Sequence, residues 1–289
     1  MFKNGLLVLN GKGGVLKTTL AAQIAGIAAM SSWRVLAVDL DQQANLSRDL
    51  GYTDRSDGGR ALFQAVADGL PLVPIPDVRP NLDVIAAGPD TLRMYREIAG
   101  PLYDEIDRVL SPLASNYDLV VIDSPPGGEN VHLAAMTAAR FVLIPTQPDQ
   151  ASVDGLATVT RSMASVRRST NPAIEILGVV IGPVATAATR LQADTRSRLT
   201  SHLGDKVHVF DQVIRNAQLV AVHCRDTGNL VHEYEEVAKS QPHWSKISKE
   251  ERRNTKSFSA AAPGLASDYQ KLTEEVLRRY SEQSSRGPT

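Results

Sequence analysis

The chain has 289 residues, 43% of them hydrophobic and 22% charged, so it is long enough to bury a substantial core in a globular fold. Its formal net charge of -1 at pH 7 excludes a global positive field that would attract nucleic acid or anionic membrane, so such contacts need a local patch. One cysteine, Cys224, excludes an internal disulfide, and no apolar run reaches the roughly 18 residues of a membrane-spanning helix. The N-terminus lacks a secretory signal pattern, so we expect a cytoplasmic protein.

Short apolar runs alternate with helix-length segments along the chain. The runs predicted as strands are residues 6–9, 35–38, 82–85, 119–122, 141–144, 176–181 and 207–210. Helices are predicted between them, including residues 18–30, 101–113, 152–168 and 191–203. Most runs are continuous rather than alternating, which is typical of strands covered on both faces. The order predicts an α/β fold with a doubly wound, mostly parallel sheet, in which ligands bind beyond the carboxyl ends of the strands.

We expect one domain over residues 1–289, with peripheral features near its C-terminus. Residues 239–263 are polar and rich in Ser, Lys and Arg, and are predicted to form an exposed insertion. A helix is predicted over residues 264–280, and residues 281–289 are expected to be a frayed tail. The apolar stripe expected to dock this helix on the sheet consists of Leu265, Tyr269, Leu272, Val276 and Tyr280.

The first predicted strand leads into the glycine-rich loop GKGGVLKTT at residues 11–19. Its glycines let several backbone N–H groups point at one anion, and the helix that follows adds its partial positive charge. Lys17 would reach the β- and γ-phosphates, and the Thr18 hydroxyl would ligate Mg²⁺. The alternative is a chance glycine-rich turn without function. The strand before the loop, the helix after it and the Lys-Thr pair all argue against that alternative. The predicted nucleotide-binding residues here are Gly11, Lys12, Gly13, Gly14, Val15, Leu16, Lys17, Thr18 and Thr19.

Leu16 departs from the strict G-x-x-x-x-G-K-[S/T] pattern, which has glycine at this position. Because the position directly precedes a helix, we expect a negative φ at Leu16, which any L-residue can adopt, and we expect nucleotide binding to survive. A positive φ would strain a bulky residue and favour a weakened or inactive site.

Two acidic segments follow later strands. Asp39 and Asp41 could orient a water molecule near Mg²⁺, although an acidic turn without function is equally compatible with their pattern. Asp123 ends an apolar strand before the turn at residues 124–128, which is a Walker B layout, so we expect it to hold Mg²⁺. With the glycine-rich loop, these segments predict ATP and Mg²⁺ as cofactors.

Lys12 is a second lysine within the glycine turn, which an ordinary phosphate-binding loop does not require. The stretch KGGVLKT at residues 12–18 resembles the deviant Walker A motif of the ParA/MinD family of P-loop ATPases. Residues 39–45 are similar to the family pattern Asp-x-Asp-Pro-Gln-x-Asn, with Gln42 in place of the proline, and residues 124–128 resemble its second switch. The resemblance covers roughly residues 5–238 and the last helix, and it is closest to the ParA-type DNA partition ATPases.

The resemblance implies a homodimer that forms when ATP and Mg²⁺ are bound. In this dimer, Lys12 would reach the nucleotide bound to the partner subunit. Lys17 would act on the phosphates of the nucleotide bound to its own chain, and Asp41 would position the attacking water. Asn45 would belong to the first switch, which the loss of the proline φ restraint at Gln42 would make more mobile. The residues expected at the metal are Thr18, Asp39 and Asp123.

Several basic residues gather in one part of the chain, namely Arg190, Arg196, Arg198, Lys206 and Arg215. A local patch of this kind suits phosphate contact, and scattered solvated arginines are the alternative. Ile214-Arg215-Asn216 resembles the family's Pro-Arg-Asn element, so the resemblance implies that Arg215, and less directly Arg190, bind DNA. It further implies nonspecific DNA binding on the nucleoid and a ParB-like DNA-binding partner with a basic N-terminal segment that stimulates hydrolysis. The cargo would be a plasmid, a chromosome or another assembly.

Other functions remain open at this point. A nucleotide-gated DNA-binding scaffold or repressor with little turnover fits Leu16 and Gln42. A MinD-like membrane-associated ATPase is disfavoured, and no membrane contact is expected, because the last helix carries acidic and basic residues together. An iron-sulfur reductase of the same superfamily is disfavoured because Cys224 stands alone.

Overall fold

The structure is a computed structural model that describes residues 2–97, 102–203, 207–240 and 259–286. At its centre is a seven-stranded sheet in the order β3-β4-β2-β5-β1-β6-β7, in which β3 is antiparallel to β4 and the other neighbours are parallel. The predicted α/β class, with a doubly wound and mostly parallel sheet, is confirmed. The strands are β1 (Gly5–Val8), β2 (Val35–Asp39), β3 (Ile75–Arg79), β4 (Leu82–Ile85), β5 (Leu119–Asp123), β6 (Phe141–Thr146) and β7 (Glu175–Ile181).

Helices cover both faces of this sheet. Successive side chains of β1 point to opposite faces, so Leu6 and Val8 belong to one buried cluster while Leu7 and Leu9 belong to the other. Both faces are therefore apolar, which explains the continuous apolar runs. The described helices are α1 (Lys17–Met30), α2 (Asn45–Asp49), α3 (Arg60–Ala67), α4 (Pro89–Glu97), α5 (Leu102–Ala114), α6 (Glu129–Ala138), α7 (Gln150–Ser169), α8 (Thr189–Leu203), α9 (Gln218–Thr227), α10 (Val231–Ser240) and α11 (Ala262–Ser285).

Two strand assignments differ from the sequence prediction. Residues 207–210 run beside β7 but form only an isolated bridge between Val209 and Val179, so the predicted strand there is wrong. Edge strand β3 was not predicted, because Pro76 and Asp77 interrupt its pattern. A sheet edge tolerates proline, since its missing N–H faces away from the ladder.

The C-terminal helix α11 is longer than predicted and continues through Ser285, so the tail expected from residue 281 is wrong over those residues. The Ser281 hydroxyl, for example, donates to the Leu277 carbonyl. All five residues of the predicted apolar stripe are buried, and Tyr280 packs edge-on against Phe141. Of the predicted insertion, residues 241–258 lie outside the described residues. None of the helices in the described ranges is both long and apolar enough to cross a membrane.

Candidate nucleotide site

The glycine-rich loop lies at the carboxyl end of β1 and is held by the neighbouring strand β6. Asn10 donates from Nδ2 to the Pro145 carbonyl at 2.7 Å and accepts the Lys12 N–H at 2.9 Å. Gln147 donates from Nε2 to the Gly14 carbonyl at 3.0 Å. Gly14 has φ of 75°, and a Cβ there would meet no atom within 4 Å, so the loop passes open space of the kind an anion needs.

Leu16 is the point at which the structure contradicts the sequence prediction for this loop. Its φ is 63° and its ψ is 14°, so the negative φ expected there is wrong. The left-handed conformation arises because the loop must turn sharply into α1, whose first hydrogen bond runs from the Leu20 N–H to the Leu16 carbonyl at 2.8 Å. The half-buried side chain packs against the core under α1 and also lines the cavity described below. A leucine in this conformation is strained by roughly 1–2 kcal/mol.

Lys17 begins α1 and is buried, with only 6% of its surface exposed. Its Nζ donates to the Lys12 carbonyl at 2.9 Å, so the side chain curls back over the loop. Burial lowers the pKa of Lys17, while the nearby carboxylates of Asp123 and Asp41 act in the opposite direction. A buried ammonium facing this loop has the chemistry to bind a phosphate chain.

A cavity of about 410 Å³ opens beside the loop and is of the size that holds a small ligand. Helix α9 forms its opposite wall, which sequence reasoning missed. That helix carries no motif, and the residues before it form only isolated bridges rather than a strand, so no sequence signal placed it at the site. The lining residues are Gly14, Val15, Leu16, Lys17, Thr18, Thr19, Asp41, Asn45 and Pro126, with Gln218, Ala221, Val222, Arg225 and Asp226 from α9.

Asp39 and Asp123 end neighbouring parallel strands and are paired in register. Both are fully buried, and Asp39 Oδ2 and both carboxylate oxygens of Asp123 find no hydrogen-bond partner among the described residues. Burial raises the pKa of Asp123 to about 7, although the Thr18 side chain and the positive charge of Lys17 act to lower this pKa. Burial and the charge of Asp123 likewise raise the pKa of Asp39 well above its usual range. Unpartnered buried carboxylate oxygens beside a threonine hydroxyl fit Mg²⁺, which prefers oxygen ligands and would supply the missing positive charge.

Asp41 and Asn45 follow β2 and line the same cavity. The Asp41 N–H donates to Asp39 Oδ1 at 2.8 Å, and Asp41 Oδ1 accepts the Gln43 N–H at 3.0 Å, so a tight acidic turn leads into α2. Burial raises the pKa of Asp41, and the Gln43 N–H and Lys17 oppose the shift. The structure thus brings Asp41 and Asn45 together with Lys17 and Thr18.

Lys12 lies at the outer part of the loop and contacts its own chain. Its Nζ pairs with Asp149 Oδ2 at 2.7 Å and donates to Gln147 Oε1 at 3.3 Å, while 32% of its side chain is exposed. Gly11 and Gly13 are likewise exposed beside it. Across the cavity mouth, the second-switch segment contributes Pro126 and continues through Gly127 and Gly128, both with positive φ.

The two arginines predicted to bind DNA both lie beyond the carboxyl end of β7. Arg190 is exposed at the start of α8. Arg215 instead makes a bidentate ion pair with Asp268 of α11, at 2.6 Å and 2.8 Å, and its side chain is 31% exposed. Among the other patch residues, Arg196 donates to the carbonyls of Val209 and Phe210, Arg198 is exposed, and Lys206 lies outside the described residues. Arg215 therefore has a structural partner that the sequence did not reveal.

P-loop nucleotide-binding proteins hold a phosphate chain with a glycine-rich loop, a lysine and a threonine that line one cavity, with strand-end carboxylates beside them, and these residues are arranged in that way here. This chain has the fold of that class, and its residues fit such a site.

Comparison with known proteins places the chain within the class. The AAA domain family matches residues 5–176. The chromosome partitioning protein ParA of Caulobacter vibrioides is 34% identical over 221 residues, which cover 74% of this chain and 81% of that relative. The chromosome-partitioning ATPase Soj of Thermus thermophilus is 31% identical over 221 residues, covering 74% and 82%. The chain belongs to the ParA/MinD family, and within it to the ParA type.

Solved structures share the fold. An ATP complex of a McdA variant from Cyanothece superposes with a TM-score of 0.75 at 19% identity, covering 94% of this chain and 96% of that one. The septum site-determining protein MinD of Pyrococcus horikoshii, complexed with Mg-ADP, gives a TM-score of 0.67 at 21% identity, covering 94% and 95%. At these identities the likeness concerns the fold alone.

Proposed function

We propose that the protein is a ParA-type ATPase that uses ATP and Mg²⁺. The observation that supports this most directly is the convergence of Lys17, Thr18 and Asp41 on one cavity beside the unpartnered oxygens of buried Asp123. The partitioning relatives, together with neighbours solved with ATP or Mg-ADP, support the same ligands.

The residues of this chain divide the work of hydrolysis. The loop N–H groups and Lys17 would bind the phosphates, and Thr18 and Asp123 would hold Mg²⁺, with Asp39 beside them. The metal would supply positive charge that neutralises the phosphate oxygens. Asp41 orients the attacking water, and Asn45 carries the start of the first switch. Lys12 leaves its contact with Asp149 and reaches the partner's nucleotide in a homodimer formed when ATP is bound.

In the cell, the ATP-bound dimer binds DNA nonspecifically on the nucleoid, in the cytoplasm, through Arg190 and Arg215. A ParB-like DNA-binding partner with a basic N-terminal segment stimulates slow hydrolysis, which releases the DNA. Repeated cycles drive the partition or positioning of a plasmid, chromosome or other cargo. Support for the DNA contact comes from the exposure of Arg190 and from the placement of both arginines beyond the same strand.

A second candidate is a nucleotide-gated DNA-binding scaffold or repressor with little turnover. The positive φ of Leu16 favours it, because a strained residue in the phosphate loop weakens nucleotide binding unless the surrounding packing holds it in place. A MinD-like attachment to membrane has less support, since the apolar stripe of α11 is buried in the core.

Hydrolysis and assembly measured together test the proposal. Gel filtration and DNA retention are compared with and without a slowly hydrolysed ATP analogue, and phosphate release is measured with and without DNA. Lys17→Ala, which removes the phosphate-binding ammonium, serves as the inactive control. We expect nucleotide-dependent dimers, DNA retention and DNA-stimulated turnover in the parent protein. Nucleotide binding and DNA retention without turnover under any condition would support the scaffold instead, and no calorimetric heat at millimolar ATP would refute both.

A further inference from the structure

Asp49, the last residue of α2, joins three elements around the cavity through one carboxylate. Its Oδ1 accepts Arg225 Nε of α9 at 2.6 Å. Its Oδ2 accepts Arg225 Nη2 at 3.2 Å and the Thr19 hydroxyl of α1 at 3.0 Å. The Asp49 side chain is only 8% exposed, so little water reaches its carboxylate, while 41% of the Arg225 side chain is exposed. Helix α2 is thereby tied both to the start of α1, next to Thr18, and to the opposite wall of the cavity.

The backbone segments that follow α2 and α9 also pack closely against each other. Gly51 and Gly228, which follow α2 and α9, approach so tightly that a Cβ on Gly228 would lie 2.5 Å from the Gly51 Cα. Arg79 spans the same junction by donating to the carbonyls of Leu50 at 2.8 Å and Gly228 at 3.1 Å. Its own guanidinium is held by Glu233 of α10 at 2.6 Å. The C-terminal ends of α2 and α9 therefore form one rigid junction.

Helix α2 depends on such contacts for its position. It has five residues, and a helix this short is not stable by itself in water. Its first residue is Asn45, and the acidic turn of Asp41 directly precedes it. The position of both side chains in the cavity consequently depends on the contacts at the far end of α2, and the Asp49–Arg225 pair is one of them.

We propose that Arg225 is a positioning residue for the ATPase reaction, acting through Asp49 to hold the first switch against the cavity. The proposal rests on the proposed function, because it assigns Arg225 to the segment that carries Asp41 and Asn45. Loss of the pair removes one of the contacts that hold α2, so α2 becomes more mobile and binding of ATP must order it further. That ordering weakens ATP binding and slows turnover, while ADP, which lacks the γ-phosphate that the water oriented by Asp41 would attack, is affected less.

The test compares Arg225→Met, which keeps the length of the side chain without the charge, with Arg225→Lys, which keeps the charge without the bidentate geometry. Asp49→Asn is a second way to weaken the pair if Arg225→Met folds poorly. Arg34→Met is the matched control, because Arg34 makes a similar pair with Asp118 at the amino end of the strands. Each variant is measured for hydrogen exchange over residues 41–50 without nucleotide, for affinity to an ATP analogue and to ADP by calorimetry, and for single-turnover hydrolysis.

We expect Arg225→Met to speed exchange over residues 45–50 and to weaken ATP-analogue binding about fivefold more than ADP binding, with slower hydrolysis. Arg225→Lys should recover part of each effect, and Arg34→Met should match the parent. Equal weakening of both nucleotides, or parent-like exchange and turnover in Arg225→Met, would overturn the role while leaving the ATPase function intact. A parent protein that binds no nucleotide would overturn the proposed function and this role together.

Discussion

Leu16 shows how a single residue can occupy an unfavourable backbone conformation when its side chain is well packed. At φ of 63° a leucine is strained, yet its half-buried side chain contacts the core beneath α1. Burial of part of a leucine contributes about 1 kcal/mol, which is comparable to the strain of a left-handed L-residue. The two terms nearly cancel, so the loop keeps its conformation without the glycine that the motif normally supplies.

This balance predicts an unusual order of stabilities at position 16. Leu16→Ala loses the packing but keeps the strain, so we expect its free energy of unfolding to fall by about 1 kcal/mol. Leu16→Gly loses both the packing and the backbone strain, so its free energy of unfolding should remain within about 0.5 kcal/mol of that of the parent. Urea unfolding of the three proteins measures this. Glycine is ordinarily less stable than alanine near a helix, so an alanine variant more stable than the glycine variant would show that φ is negative in solution.

Asp41 carries a prediction about chemistry rather than stability. Asp41→Ala removes the carboxylate that we propose orients the attacking water, but it leaves Lys17 and Thr18 in place, so nucleotide binding should persist. We expect hydrolysis to fall by about 100-fold or more, and the ATP-bound protein to remain on DNA. Phosphate release and DNA retention with ATP report the two effects. A variant that leaves DNA as fast as the parent would remove Asp41 from the hydrolytic step.

At the scale of elements, strands buried on both faces could be predicted because their pattern depends only on burial. Residues 35–38 and 82–85 were found in this way and lie within β2 and β4. Edge strand β3 could not be predicted in this way. Its residues, including Pro76, are largely exposed because the strand lies at the edge of the sheet, so they do not form a buried apolar run. The phosphate loop and the strand-end carboxylates were predictable from local spacing. The cavity wall formed by α9 and the ion pair between Arg215 and Asp268 could not be predicted, because they arise only when distant segments of the chain pack together.

The arginines beyond β7 therefore need different treatment in experiments. Arg190 is exposed, so Arg190→Ala should leave stability within about 0.5 kcal/mol of the parent. If Arg190 contacts phosphate, DNA affinity should fall for every sequence, and the slope of log affinity against log salt should become shallower by about 1. Salt titrations of DNA binding measure this, and an unchanged slope would remove Arg190 from the interface.

Arg215→Ala should also destabilise the fold. It leaves the largely buried Asp268 carboxylate without its charged partner, although the backbone N–H of residue 215 and Gln212 Nε2 still donate to it, and we expect the free energy of unfolding to fall by about 2 kcal/mol. Asp268→Asn is the control, because it weakens the same pair while keeping the arginine. DNA binding that falls in Arg215→Ala but not in Asp268→Asn would indicate direct contact. An equal fall in both variants would mean that Arg215 acts through the docking of α11.

At the scale of the whole molecule, the proposed assembly of two chains would depend on which group Lys12 contacts. In the single chain, Lys12 pairs with Asp149 at the mouth of the cavity, 32% exposed and outside the set of residues that line it. An exposed ion pair of this kind contributes little to the free energy of unfolding. Lys12 can therefore leave Asp149 and contact the phosphates of a nucleotide bound to a second subunit with little loss of stability. Phosphate groups then provide the stronger, charge-assisted contacts.

Lys12→Ala should consequently separate nucleotide binding from assembly. Because Lys17 and Thr18 remain, calorimetry should show ATP affinity close to that of the parent, with unfolding free energy changed by less than about 0.5 kcal/mol. Gel filtration with a slowly hydrolysed analogue should show a monomer where the parent forms a dimer, and turnover should fall. Asp149→Asn, which weakens the contact of Lys12 with its own chain but keeps the lysine, should still dimerise. If Lys12→Ala dimerised and hydrolysed ATP like the parent, the second lysine of the loop would have no role across the interface, and its contact with Asp149 would suffice to explain its presence.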